Sequence, residues 1–253
     1  MKHRPRSRAR QGPSNQQASW LLMVFAKAPI PGQVKTRLCP PLTEDEAATL
    51  HGSVVLDTLE RSKTVREFDR ILACAPSPDH PFFQTVGTKY SLPLWQQVGI
   101  DLGARMAQAF QMAFDHGYQG AMLVGTDLPT LGTTIYHQAL KALSTHDLVL
   151  GPTVDGGYYL IGLRKPTPSL FEEIPWSTQE VCVSTQRKAQ QLGLSIGLLP
   201  RLRDIDTIED LHQFTNETQG PEKKNFSTRT IGVLQALAKR LATRQHDSDH
   251  DTH

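Results

Sequence analysis

The sequence is poor in cysteine and has no long apolar run. Cys39, Cys74 and Cys182 are far apart and form no CxxC pair, which argues against a disulfide framework or a cysteine zinc cage and fits a reducing compartment. No stretch approaches the length of a membrane span. The 10 histidines show no metal-cage spacing such as HExxH, and His246, His250 and His253 lie among the last eight residues. A GxxxxGK loop followed by Ser or Thr, a GxGxxG fingerprint and a GxSxG elbow are all absent. Acids are missing from residues 1–18, which carry Lys2, Arg4, Arg6, Arg8 and Arg10; of the formal +2, the rest of the chain therefore holds −3. A nucleic-acid partner would rest on that tail alone and is not expected. The tail has no apolar centre of the kind secretory signals need, so the expected location is cytoplasmic.

At 253 residues, 38% apolar and 21% charged, the chain can bury a substantial single core. One domain is expected over residues 19–215, after a disordered basic tail over 1–18. A polar extension over 216–253 follows, with a helix at 230–241 and a disordered acidic, His-bearing end.

The most informative stretch is Leu21 to Leu38. The apolar run Leu21 to Ala26 has the length of a buried parallel strand and breaks at Pro29, Pro31 and Gly32. The following loop carries Lys27, Lys35 and Arg37 with no acid up to Leu38, an arrangement suited to an anion such as phosphate.

Thr43 to Val65 reads as a helix with Thr43 and Glu46 as a capping box. Arg70 to Ala75 and Leu92 to Val98 read as strands, and Met106, Phe110 and Phe114 repeat on one face of the next helix. Ala121 to Thr126 is a further strand and Leu131 to Leu143 a helix. The segment from His146 through GPTVDGGYYLIGL reads as strand, turn, strand. Trp176 to Gly193 is expected as a helix capped by Ser177 or Thr178, Leu194 to Leu199 as a strand, and Thr207 to Phe214 as a helix opened by Asp206 or Thr207. This alternation predicts a three-layer α/β/α, Rossmann-like, mostly parallel sheet. Ligands in such sheets sit beyond the carboxyl ends of the strands, so KTR, GTDLP and DGG are expected on one rim.

Asp127 stands where a strand ends before Pro129, with its carboxylate aimed out of the sheet toward Mg²⁺ or Mn²⁺. A second metal carboxylate is expected from Asp204 or Asp206, or from Asp155. Asp155, Gly156 and Gly157 form a tight turn open to a ligand. Gly99, Asp101, Gly103 and Arg105 surround a helix start suited to an anion. Trp176, Ser177 and Thr178 are candidates for an acceptor pocket. Cations, a metal carboxylate and such turns together suit transfer from a nucleoside di- or triphosphate donor.

In order, KAPIPGQVKTRL, GIDLGARM, GTDLPTL, GPTVDGGYYLIGL, PWST and LRDIDTIEDL resemble the DUF2064 family of GT-A-fold, glycosyltransferase-like proteins over about residues 21–214. That family is similar to phospholactate guanylyltransferase and to the molybdenum cofactor nucleotidyltransferases. The resemblance implies a GT-A fold, a divalent metal at Asp127, and a nucleotide-linked donor near Lys27, Lys35 and Arg37. On this basis Lys35, Arg37 and Asp127 are the expected catalytic residues. Donor contacts are expected from Ala26, Lys27, Gly32, Lys35, Thr36, Arg37, Gly99, Asp101, Gly103, Arg105 and Thr126. The metal is assigned to Asp127, Asp204 and Asp206, and the acceptor to Asp155, Gly156, Gly157, Trp176, Ser177 and Thr178. Glycosyl transfer from a nucleoside diphosphate sugar to a small molecule comes first, and nucleotidyl transfer with pyrophosphate release second. A non-catalytic nucleotide-binding protein comes third, because Gly125, Thr126 and Asp127 stand where GT-A enzymes carry DxD.

Overall fold

The computed structural model describes residues 19–250, with side chains described through Arg244. The disorder expected for residues 1–18 lies outside the described residues, as do residues 251–253 of the acidic, His-bearing end. Strand β1 (Trp20–Lys27) is buried from Leu21 to Ala26, and alternation of its side chains feeds both faces of the sheet. Leu22, Val24 and Ala26 pack against helices α1 (Glu44–Ser62), α2 (Pro81–Tyr90) and α4 (Thr133–Leu143). Leu21, Met23 and Phe25 pack against α3 (Leu102–Asp115) and α5 (Val181–Gln191).

With β2 (Asp69–Ala75), β3 (Leu94–Gln96), β4 (Gly120–Val124), β5 (Leu148–Pro152), β6 (Tyr158–Leu163) and β7 (Ile196–Leu198), β1 forms a seven-stranded sheet ordered β3-β2-β1-β4-β6-β5-β7. Only β6 runs antiparallel to its neighbours. Chain order reverses direction between β1 and β4, so the switch point that opens a ligand crevice lies where Lys27 and Asp127 leave the sheet. Among the described residues no helix is long and apolar enough to cross a membrane.

The expected strands and helices form, with four differences. Helix α2 was not expected. His80 caps it through an N–H bond from Phe82, and Pro81 at its first position has no amide to lose, but the surrounding PSPDHP reads as a turn. The strands at Leu92 to Val98 and Leu194 to Leu199 each shrink to three residues. Helix α5 begins at Val181, not Trp176, because Ser177 takes a left-handed conformation at φ 65 that no helix admits.

The fourth difference is the C-terminus. Helix α6 (Ile208–Glu217) leads into α7 (Thr228–His250), and Phe226, Leu234, Leu237 and Leu241 bury against Leu38, Leu42, Leu50, Val54, Ile205, Leu211 and Phe214. The extension drawn from residue 216 is thus packed on α1, and its helix runs beyond the expected 230–241, to His250, into the end expected to be disordered. This third cluster anchors Leu38, next to Arg37, and Ile205, between Asp204 and Asp206.

Glu46 ties α7 to the start of α1. It closes the capping box with Thr43 and accepts bonds from Arg240 at 3.1 Å and Arg244 at 3.0 and 3.1 Å. Burial alone would raise its pKa, but the Thr43 amide and the two guanidiniums hold it down at about 2. A folded pKa below the usual 4.5 gives stability that is present above that value and is lost as pH falls toward 2. Glu46→Gln is therefore expected to be less stable than wild type near neutral pH, by on the order of 1–2 kcal/mol. Thermal melts should show that gap closing as the pH is lowered to about 3; a constant gap would contradict the assignment.

Candidate active site

The loop after β1 is held by short backbone bonds: the Ala28 amide donates to the Ala75 carbonyl and the Gln33 amide to the Ile30 carbonyl. Val34 is buried, and Lys35 then takes a left-handed conformation at φ 50, which costs a non-glycine residue roughly 1–2 kcal/mol. It starts a 3-10 turn over Thr36–Leu38, pinned by the fully buried Leu38. The turn sends neighbouring side chains in opposite directions. Lys35 points inward with its side chain 3% exposed, whereas Arg37 points outward at 69%.

The Lys35 ammonium meets Asp127 and lies 2.8 Å from Asp206. Burial by itself would lower its pKa; the two carboxylates outweigh this and raise it, so the group is a permanent cation. Burial would raise Asp127, yet Lys35 opposite holds it low, and the carboxylate is ionised. The backbone sets this meeting, because the Ile205 amide donates to the Asp127 carbonyl at 3.0 Å and so lays the RDID segment beside the end of β4.

RDID also lies against the turn between β5 and β6. The Val154 amide donates to the Leu202 carbonyl at 3.0 Å, and Asp155 is fixed within its turn by bonds from the Thr153 hydroxyl and the Gly157 amide. As a result Asp155, Asp204 and Asp206 present carboxylate oxygens within 4.8 Å of one another. Burial and the two neighbouring acids push the Asp204 carboxyl up to about 7. Three acids this close repel one another, and an all-oxygen donor set is what a hard divalent cation takes. Asp206 is not the helix cap: Thr207 caps α6, with Asp210 completing a capping box.

Gly156 secures that turn. Its φ of 93 is left-handed, and a Cβ there would stand 2.0 Å from the Gln179 carbonyl oxygen. Gly156→Ala is expected to cost about 2–3 kcal/mol, or ~5–10 °C in melting temperature, and to draw Asp155 away from the other acids. An unchanged melting temperature would show that the turn has slack which this geometry denies.

Two cavities meet at Asp206. The first, about 410 Å³, is lined by Ala26, Lys27, Lys35, Thr36, Thr126 and Asp127, and extends past Gln97 toward Met106. A side pocket of about 270 Å³ opens off it between Lys27, Gln97 and Arg105. The second cavity, about 420 Å³, is lined by Arg37, Asp155, Gly157, Trp176, Ser177 and Thr178. Five of the eleven expected donor residues therefore line the first chamber and Arg105 lines its side pocket, while five of the six expected acceptor residues line the second cavity, and Arg37 falls on that side.

Four expected donor residues do not line these cavities. Gly32 makes an exposed turn, and Gly99 offers its carbonyl to Arg105. Asp101 caps α3 by accepting from the Ala104 amide at 2.7 Å. Gly103 admits Trp176, whose ring nitrogen would lie 2.6 Å from a Cβ there. The close approach that Gly103 permits is therefore to tryptophan. Thr178 is also committed locally, donating to the Pro175 carbonyl and accepting from the Glu180 amide.

Two lining residues were not legible in advance. His51 on α1 donates from Nε2 to the Lys27 carbonyl at 3.0 Å, and burial lowers its pKa, so the ring is neutral. The Gln97 amide donates to the Ala26 and Ala73 carbonyls, closing the gap where β1 and β2 end. A single histidine on an apolar helix face and a glutamine after a short strand carry no motif that would have singled them out.

Comparisons with known proteins agree with this architecture. The DUF2064 family model, described as an uncharacterized protein conserved in bacteria, matches residues 58–178. A solved structure from Desulfovibrio desulfuricans G20, named for a nucleotide-diphospho-sugar transferase, is 32% identical with a TM-score of 0.79, covering 87% of this chain and 95% of that one. The 3-phospho-D-glycerate guanylyltransferase of Phenylobacterium zucineum (strain HLK1) is 27% identical over 215 residues, covering 81% of this chain and 92% of the relative. A cytidylyltransferase from Leptospira borgpetersenii serovar Hardjo-bovis (strain JB197), 14% identical with a TM-score of 0.53, shares the fold across 89% of this chain and 96% of its own.

Proposed function

The chain belongs to the DUF2064 family and is a transferase, and we propose that it moves a nucleotidyl group from a nucleoside triphosphate to a phosphorylated small acid. An oxygen of the acceptor phosphate attacks the α-phosphorus, the bond from that phosphorus to the bridging oxygen breaks, and pyrophosphate leaves with the electron pair. The observation that carries this reading is the junction of the two cavities at Asp206, where an ammonium and an acid cluster face each other. Such a junction suits two anionic substrates brought end to end, because each phosphate needs positive charge against it. The guanylyltransferase relative points the same way.

Within this reading Lys27 and Lys35 line the donor chamber and Lys35 neutralises charge on the triphosphate. Asp155, Asp204 and Asp206 would hold Mg²⁺ or Mn²⁺, with Asp127 alongside, and the metal would supply Lewis-acid stabilisation of the phosphates when bound. The neutral His51 fixes the Lys27 backbone, and Gln97 holds the strand ends that floor the chamber. Nucleoside triphosphates as donors and three unpaired cysteines are the ground for placing the protein in the cytoplasm.

Glycosyl transfer from a nucleoside diphosphate sugar is the second reading, favoured by the name of the D. desulfuricans structure. Incubation with common nucleoside triphosphates, 3-phospho-D-glycerate and Mg²⁺ or Mn²⁺ is expected to release pyrophosphate in step with acceptor loss. Release of nucleoside diphosphate from a nucleotide sugar would favour the second reading. Metal-dependent donor binding without turnover would favour a non-catalytic nucleotide-binding protein.

A further inference from the structure

We propose that Arg37 binds a second anionic group on the acceptor, distal to the phosphate that reacts, and so selects phosphorylated carboxylic acids over phosphorylated alcohols. This rests on the nucleotidyl-transfer reading and assigns the residue of the same site that reads the acceptor's acid group.

The left-handed Lys35 and the buried Leu38 turn Arg37 away from Lys35, and Arg37 is not among the residues that line the donor chamber. Its guanidinium opens instead into the second cavity. Its ion-pair contact there is Asp206 at 4.0 Å, the outer limit of such a pair, whereas Lys35 reaches the same carboxylate at 2.8 Å. The planar fork of donors is thus left largely free for a ligand.

Charge in the cavity makes that freedom informative. Among the described residues lining it, Arg37 is the one cation, and Asp155 and Asp206 line the same cavity. A neutral acceptor would need no such group, and a singly anionic one would be held at the acid cluster through a bound cation. An acceptor with anions at both ends satisfies both walls. Thr178 cannot supply the second contact, since its hydroxyl proton is spent on the Pro175 carbonyl. A carboxylate matches a guanidinium in a bidentate, planar way that a hydroxyl does not. Because Asp206 belongs to the acid cluster and also lies 4.0 Å from Arg37, the two anchors are spaced for a molecule of a few carbons.

The test compares 3-phospho-D-glycerate with glycerol 3-phosphate, which keeps the carbon chain and phosphate but replaces the carboxylate with a hydroxymethyl group. For wild type, Arg37→Ala and Arg37→Lys, KM for each acceptor and for the nucleoside triphosphate is measured, with calorimetric binding of each acceptor in the presence of Mg²⁺. Arg37→Ala should raise KM and Kd for 3-phospho-D-glycerate by about 10–100-fold, matching the loss of one charge-assisted contact. Glycerol 3-phosphate and the donor should change less than about twofold, and Arg37→Lys should recover part of the loss. The exposure of Arg37 makes a folding defect an unsuitable explanation, and a melt of each variant checks it.

An equal loss for both acceptors, a loss confined to the donor, or no binding of either acceptor to wild type would overturn the proposal. If wild type transfers to 3-phospho-D-glycerate while Arg37→Ala is unchanged, this assignment alone fails. If wild type binds both acceptors as expected but releases no pyrophosphate, the transfer reading fails and the binding site stands.

Discussion

Asp206→Asn is expected to lower turnover by about 10²–10⁴-fold while leaving the fold intact. Among the described residues, the carboxylate is the one acid common to the first cavity, the second cavity and the cluster with Asp155 and Asp204. It also shares the Lys35 ammonium with Asp127. In the proposed reaction, removing its charge weakens the junction of the two cavities where both substrates would meet, and leaves Lys35 biased toward Asp127. The local backbone does not depend on that side chain: the Asp206 amide bonds to Asp210, and Thr207 supplies the helix cap. The melting temperature should therefore stay close to wild type as Mn²⁺ affinity, read by calorimetry, falls at least about tenfold. Full activity with unchanged metal affinity would remove Asp206 from the site.

Lys35→Met should cost about 10²–10³-fold in turnover, the size expected when one preorganised charge is withdrawn from developing phosphate charge. Its effect on stability has a separate signature. Methionine keeps most of the apolar stem in a nearly enclosed position but leaves Asp127 and Asp206 facing each other without a cation. Both carboxylates retain water, at 46% and 34% exposure, so the loss should be about 1–3 kcal/mol, below that of a fully buried broken pair. Divalent cations should restore more melting temperature to this variant than to wild type, because they replace the missing positive charge. Equal cation effects on both proteins would mean that Lys35 and the metal site are independent.

The parts of the site legible in the sequence are those that a strand end delivers. Lys27 and Asp127 were readable because an apolar run stops at each, and the doubly wound sheet puts both stops on one rim. RDID was readable for the same reason after β7. The partition of cations was not readable, since Lys35 and Arg37 differ only by which way a 3-10 turn carries them, and that turn is fixed by burial of Leu38 in a cluster completed by α7 some two hundred residues later. The place of Asp155 beside Asp204 and Asp206 depended on a bridge between Thr153 and Leu202 that no local pattern encodes. Ser177 and Thr178 showed the hydroxyl chemistry of a cap, but the left-handed Ser177 postponed the helix to Val181. Helix α2 was hidden by Thr85, Gly87 and Thr88, poor helix formers that fold because Phe83, Val86 and Tyr90 are buried by the sheet.

The fate of the donor's α-phosphorus tests the central claim most directly. With a triphosphate labelled at that atom, 3-phospho-D-glycerate and Mg²⁺, the label should appear in a product joined to the acceptor phosphate, with one pyrophosphate released for each product formed. Label remaining in unreacted triphosphate, while the same protein transfers sugar from a nucleotide sugar and frees nucleoside diphosphate, would contradict it.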